Sequence, residues 1–251
     1  MNTTSILEDR TISKRFLFPR EKHFPHPFQV TTLHHQLSCY RQINHNDRKM
    51  LMVFHGMIEV VADYLDGFSD EIDRMGFNLF IAEYPGYSYS TGKPSLINIL
   101  EDIPYIIDNC GVSVDQLVIF GRSLGSAYAI HAAHLFPEIS GLIIESGIAD
   151  FYERLNRRVS AEDIEITEDR LKAEIGRYFN IEQHLKQFKG KTLIMHTKDD
   201  RIISPDHALQ NYEWANKPKD LVLFEEGGHS DIQYFNRVAY FKAIKTFMDK
   251  C

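Results

Sequence analysis

The chain has 251 residues, 43 % hydrophobic and 25 % charged, with a formal net charge of −7 at pH 7. It is long enough to bury a sizeable core without disulfides or metals, although length alone does not choose between one large α/β domain and two small ones. The acidic balance speaks against a basic face for nucleic acid.

In chain order, the segment from Phe16 to Ile43 holds β-like pieces (FQVTT, LSCYRQI) that fit an antiparallel edge. Met50 to His55 (MLMVFH) is a short apolar run, as expected of a strand buried on both faces. Ala62 to Met75 has helical spacing, with Tyr64, Leu65, Phe68, Ile72 and Met75 on one face and Gly76 as its stop. Phe77 to Ala82 is the next apolar run, followed by a turn-rich loop from Tyr84 to Pro94. Ser95 to Asn109 reads as a helix with Ser95 as N-cap.

The alternation continues. Gln116 to Phe120 is a strand and Leu124 to Phe136 a helix rich in small residues. Gly141 to Ile144, Thr192 to His196 and Leu221 to Phe224 are strands; Asp206 to Trp214 and Ile232 to Met248 are helices. Alternating strands and helices predict a doubly wound, mostly parallel α/β sheet covered on both faces, over residues 1–251 as a single domain. Residues 148–190 break the rhythm. They are charged and helix-prone, and their position predicts a small helical cap insertion over a site.

The strongest local signal is Gly121-Arg122-Ser123-Leu124-Gly125, a G-x-S-x-G sequence between the strand QLVIF and the small-residue helix. A sharp strand–turn–helix junction projects the serine oxygen above the sheet, and the helix start offers N–H groups to a developing negative charge. A serine hydroxyl needs a base, and the base needs a carboxylate to orient it. His229 suits the base: it follows the last strand and the flexible pair Gly227-Gly228. The acid belongs after the strand TLIMH, where Asp200 and its neighbour Asp199 both stand; Glu145 and Asp150 are weaker candidates after the preceding strand. An oxyanion needs two backbone donors. The N–H of Leu124 follows the nucleophile, and that of Met57 lies in the His55-Gly56-Met57 turn. His131 and His134, at i and i+3, could suggest a metal pair, but no third ligand is evident; packing is the plainer reading and no metal is expected.

These residues together resemble the α/β-hydrolase superfamily, in its small intracellular serine-hydrolase branch with a short cap. Val53 to Gly56 resembles the family's H-G oxyanion loop, and Glu83 to Ser95 its Y-x-G-Y-G-x-S-x-G-x-P-S loop. Asp200-Arg201-Ile202-Ile203 resembles its acid segment, which implies Asp200 rather than Asp199. Met57, Ser88, Thr197 and Ser204 depart from the family pattern without removing a catalytic group. The resemblance implies the α/β-hydrolase fold, a catalytic triad of Ser123, Asp200 and His229, and hydrolysis of a small-molecule carboxylic ester or thioester through an acyl-serine, with no cofactor. Two alternatives stay open: a peptidase or amidase using the same triad, and a non-catalytic relative that binds a ligand or partner. Aromatics near the expected mouth, Tyr87, Tyr89, Phe151, Tyr152 and Trp214, read equally well as an acyl pocket or as packing.

The cysteines Cys39, Cys110 and Cys251 are odd in number and far apart, so they form neither a disulfide framework nor a zinc ribbon. Glu8 and Asp9 stand where a secretory leader would have its basic start and apolar run, and no stretch approaches the roughly 20 apolar residues of a membrane span. A cytoplasmic protein without a transmembrane segment is expected.

Overall fold

The computed structural model describes residues 5–251; the first four residues, on which the expectation about a leader partly rests, lie outside the described residues. The chain runs α1 (Arg10–Phe16), β1 (Phe28–Thr31), β2 (Gln36–Gln42), β3 (Met50–Phe54), α2 (Phe68–Arg74), β4 (Asn78–Ala82), α3 (Leu96–Asp108), β5 (Leu117–Arg122), α4 (Leu124–Leu135) and β6 (Gly141–Glu145). It continues through α5 (Phe151–Asn156), α6 (Glu168–Tyr178), α7 (Ile181–Gln187), β7 (Lys191–Thr197), α8 (Pro205–Trp214), β8 (Lys219–Phe224), α9 (Ile232–Phe235) and α10 (Arg237–Met248).

All eight strands join one sheet in the order β1-β2-β4-β3-β5-β6-β7-β8. The pairs β1/β2 and β2/β4 are antiparallel; every pair from β4 to β8 is parallel. Strands β3, β4, β5 and β6 are buried at every residue, which is why they read as unbroken apolar runs. Helices α3, α4, α7 and α8 pack in a row on one face. On the other, α2 meets α10 through Phe68 and Phe241, whose ring centroids are 5.9 Å apart. The mostly parallel, doubly wound sheet expected from the sequence is therefore present.

Local differences have local causes. The helix expected over Ala62 to Met75 is split into a 3-10 turn, Val61–Asp63, and α2, because Gly67 takes φ = +92°. The helix expected over Ile232 to Met248 is interrupted at Asn236, whose backbone leaves helical geometry while its amide donates to the Glu226 and Ile232 carbonyls. Ser95 caps α3 as expected, accepting from the N–H groups of Ile97 and Asn98. No helix among the described residues is long and apolar enough to cross a membrane.

Residues 148–190 supply α5, α6 and α7. α7 lies against α4 and α8, and α6 against α5. Of this segment, Arg154 of α5 and Arg158 just beyond it reach the carboxyl edge of the sheet near Ser123.

Candidate active site

The order of strands reverses at β3, with β4 on one side and β5 on the other. In open α/β sheets the loops beyond such a reversal diverge and leave a crevice. The register pairs Phe54 with Gly121 and Arg122 with Glu145, so the chain after β3 and the chain after β5 emerge side by side.

Ser123 sits at that point with φ = +53° and ψ = −119°, a conformation that costs a residue with a side chain some strain. The turn is held from both sides. The Ser123 N–H donates to the Glu145 carbonyl at 2.9 Å, and its carbonyl accepts from the Ser126 N–H at 3.0 Å and the Ser126 hydroxyl at 2.6 Å. Gly125 is required by close approach: a Cβ there would run into the backbone carbonyl of Phe54.

The loop after β8 carries His229. Its Nε2 lies 2.8 Å from Ser123 Oγ, and its Nδ1 lies 2.7 Å from Asp200 Oδ2. Asp200 can only accept when ionised, so Nδ1 carries the proton and Nε2 is free to accept from the serine. Asp200 Oδ1 accepts from the N–H groups of Ile202 at 2.8 Å and Ile203 at 2.9 Å. His196 Nε2 stands 3.2 Å from Asp200 Oδ2 and 3.0 Å from the Ile203 carbonyl. Burial alone would raise the Asp200 carboxyl; hydrogen bonds from His196 and His229, the His229 charge and the Ile203 N–H outweigh it and hold it well below the usual carboxylate range. Asp199 is exposed. The loop of His229 is itself tied down, by Thr197 Oγ1 donating to the Gly228 carbonyl at 3.3 Å and by Ser146 Oγ donating to the His229 carbonyl at 3.4 Å.

Beneath the serine lies a buried ionic network the sequence did not reveal. Arg122 bonds Glu59 at 2.8 Å and Glu145 at 3.2 Å. Tyr240 donates to Glu145 at 2.6 Å, while Tyr64 and the Gly56 N–H donate to Glu59 at 2.8 and 2.7 Å. Burial pushes the Glu145 carboxyl up despite the opposing pull of Arg122 and Tyr240. Burial also presses on Glu59, but Arg122, the Gly56 N–H and Tyr64 prevail and lower it. Glu145 thus belongs to this network and makes no hydrogen bond to His229, and Asp150 instead caps α5 by accepting from the Glu153 N–H. The network fastens the turn after β3 to the turn after β5. Arg122 occupies a free position of G-x-S-x-G, so the motif itself carried no sign of it.

A cleft of about 80 Å³ opens at Ser123 and His229, with Gly56, Met57 and Ile58 on one side and Arg154 and Arg158 on another. Among the described residues the N–H groups of Met57 and Leu124 donate to no protein acceptor, which leaves two donors beside the serine. The Met57 carbonyl is held by the hydroxyl of Tyr87 at 2.7 Å, and the His55 carbonyl by that of Tyr84 at 2.7 Å. Tyr87 therefore braces the loop and does not line the cleft.

Among the other aromatics named for the acyl pocket, Phe151 and Tyr152 are also placed elsewhere. Phe151 stacks on Phe179 at 3.9 Å and 4° and lies 5.9 Å from Phe16, deep in the core, because its position on α5 faces α1 and the end of α6. Tyr152 lies half-buried under the Lys172 ammonium, 4.7 Å from its ring centroid. A structural role follows for Phe151 and its fully buried neighbour Leu155. Phe151→Ala and Leu155→Ala are each expected to cost about 2–5 kcal/mol of stability and to leave the preference for acyl chain length unchanged. Denaturant melts beside kcat/KM over short and long acyl esters check this; a shifted chain-length profile at unchanged stability would contradict it.

His131 and His134 join His184, the rings of His134 and His184 stacking at 4.0 Å. Burial and the His134 charge bring His131 down to about 4. Among the described residues no group of three or more metal-ligating side chains is poised to hold an ion.

The chain is similar to known proteins of the same fold. Residues 45–162 match the family described as serine aminopeptidase, S33. The chain is 23 % identical over 223 residues to alpha/beta hydrolase domain-containing protein 17B of Xenopus tropicalis, covering 87 % of this chain and 73 % of that one. It is 24 % identical over 226 residues to alpha/beta hydrolase domain-containing protein 17C of Homo sapiens, covering 88 % of this chain and 64 % of that one. Among solved structures, Est1E from Butyrivibrio proteoclasticus with ferulic acid bound superposes with a TM-score of 0.72 at 16 % identity, covering 89 % of this chain and 98 % of that one. Alpha/beta hydrolase domain-containing protein 10 from mouse gives 0.68 at 17 % identity, with 90 % and 99 % covered.

Proposed function

Since the chain belongs to the α/β-hydrolase superfamily, we propose that it is a serine hydrolase that cleaves a carboxylic ester or thioester through an acyl-serine intermediate. One observation carries this reading: the unbroken hydrogen-bonded series Ser123 Oγ, His229 Nε2, His229 Nδ1 and Asp200 Oδ2, at 2.8 and 2.7 Å. In the proposed reaction His229 Nε2 takes the serine proton as Oγ attacks the acyl carbon. Asp200 favours the imidazolium so formed and keeps it aimed. The N–H groups of Met57 and Leu124 receive the oxyanion. His229 then protonates the leaving group, and a water deprotonated by the same nitrogen releases the acid. We further take residues 1–251 as a single domain with 148–190 as a cap that reaches the site through Arg154 of α5 and Arg158 just beyond it. The three free thiols fit a reducing compartment such as the cytoplasm.

The match to the serine aminopeptidase family gives a second reading, cleavage at a free amino terminus. Charge disfavours it. A substrate ammonium group needs a carboxylate at the cleft, yet Glu59 is already engaged by Arg122, and the α5 side of the opening carries Arg154 and Arg158. The test is a turnover screen over ester chain lengths, thioesters and aminoacyl amides. Esters or thioesters are expected to lead; a preference for aminoacyl amides would install the peptidase reading, and turnover of none would leave a binding protein.

A further inference from the structure

The chain carries a net charge of −7, yet the cleft at Ser123 is flanked by two guanidinium groups. Arg154 is on α5 and Arg158 lies just beyond it, four residues on, so both face the same way. Arg154 is only 6 % exposed, and its Nε, fully shielded from solvent, has no hydrogen-bond partner. Among the described residues neither arginine pairs with a carboxylate, whereas the intervening Arg157 is paired with Glu153 at 2.6 Å. Burial, then the charges of Arg158 and Arg157, pull Arg154 below the ordinary arginine range against the weaker opposing pull of Asp200 and Glu153. An arginine stays charged in any case, and a buried unpaired charge is costly. A structure that keeps such a group beside a reactive serine has a place for an anion.

The surroundings extend the argument. The Arg158 guanidinium lies 5.1 Å from the centroid of the Phe18 ring, which fixes it at the rim. Phe18 and Ile58 also line a second, larger cavity of about 820 Å³ walled by α1 and the start of α3, and Ile58 is shared by both openings. Its lining includes Arg10, Lys14 and Lys93, none paired among the described residues, against the single acid Glu8. Unpaired cations therefore line both openings that meet at Ile58.

We propose that Arg154 and Arg158 form an oxyanion-binding subsite, so that the substrate is an acyl ester or thioester bearing a carboxylate or phosphate group close to the scissile carbonyl. This rests on the serine-hydrolase reading and narrows its substrate. The forked guanidinium suits either anion, because both offer paired oxygens.

The experiment compares kcat/KM for two matched pairs: mono-p-nitrophenyl succinate against its neutral isostere p-nitrophenyl isocaproate, and a butyryl ester of glycerophosphate against the same ester of glycerol. The anionic member of at least one pair is expected to lead by about tenfold or more. The first pair reports a carboxylate on the acyl side, the second a phosphate on the leaving side. In Arg154→Gln, in Arg158→Gln and in the double variant the ratio of anionic to neutral turnover is expected to fall toward one. Arg158 is exposed, so its variant carries the test even if the Arg154 variant does not fold. Neutral esters cleaved as well as anionic ones, or an anionic preference that survives in the double variant, would overturn the subsite while leaving the serine-hydrolase reading standing. Turnover of neither member of either pair would remove both.

Discussion

Ser123→Ala is expected to lower ester turnover by about 10³-fold or more while the fold persists. The two halves of this expectation have separate causes. Oγ is the only atom removed, and its one hydrogen bond is to His229. The contacts that hold the turn, to the Glu145 carbonyl and from Ser126, are made by the Ser123 backbone and survive the change. Alanine carries the same Cβ through the positive φ, so the strain of the turn is neither relieved nor increased. What remains is a cleft with donors but no nucleophile. Turnover of p-nitrophenyl esters, read beside a thermal melt, checks it; near-normal activity in a folded variant would remove Ser123 from the mechanism.

Asp200→Asn is expected to reduce kcat on the order of 10⁴-fold, whereas Asp199→Asn changes it by no more than about twofold. An asparagine at position 200 can still accept from the Ile202 and Ile203 N–H groups through its carbonyl oxygen. Its amide group then turns toward His229 Nδ1, which must become an acceptor. The proton moves to Nε2, and His229 presents a donor to Ser123 where a base is needed. Asp199 is exposed one residue away and touches none of this. A stability effect accompanies the change at Asp200. Its folded-state carboxyl is held well below the usual range, so ionised Asp200 contributes stability that is present above the ordinary carboxylate range and is lost as pH falls through the depressed value. Parallel melts of both variants near neutral pH separate this from the loss of catalysis. The reverse ranking of the two variants would transfer the acid role to Asp199.

The parts of this architecture that were legible in the sequence are those written in consecutive residues. The buried parallel strands appear as apolar runs, and G-x-S-x-G appears as a junction between such a run and a small-residue helix. His229 was legible because a glycine pair follows a strand and precedes it. The seven residues of α1 were not. RTISKRF buries only Ile12 and Phe16, too short a pattern to show a period, and its clearest mark is Asp9 accepting from the Thr11 N–H as a cap.

Residues that act across the fold were illegible for a different reason. Glu59 and Glu145 meet on Arg122 only because β3, β5 and β6 lie side by side. The chain around α5 offered a face of Phe151, Arg154, Leu155 and Arg158 at helical spacing, with two apolar and two charged members. Sequence alone left Phe151 equally readable as part of an acyl pocket or as packing, and gave no sign that Arg154 and Arg158 lie beside the serine. In the fold Phe151 goes into the core against Phe179, and both arginines point toward the opening. Which positions of that face reach the site depends on how α5 packs against α1 and α6, and no local pattern encodes that.

The central claim is that Ser123 is a nucleophile activated by His229, and covalent labelling tests it most directly. Protein incubated with a fluorophosphonate and read by intact mass and peptide mapping is expected to carry a single phosphonyl adduct, located on Ser123 and absent from Ser123→Ala. No adduct, or an adduct on another serine such as Ser126 or Ser146, would contradict the account.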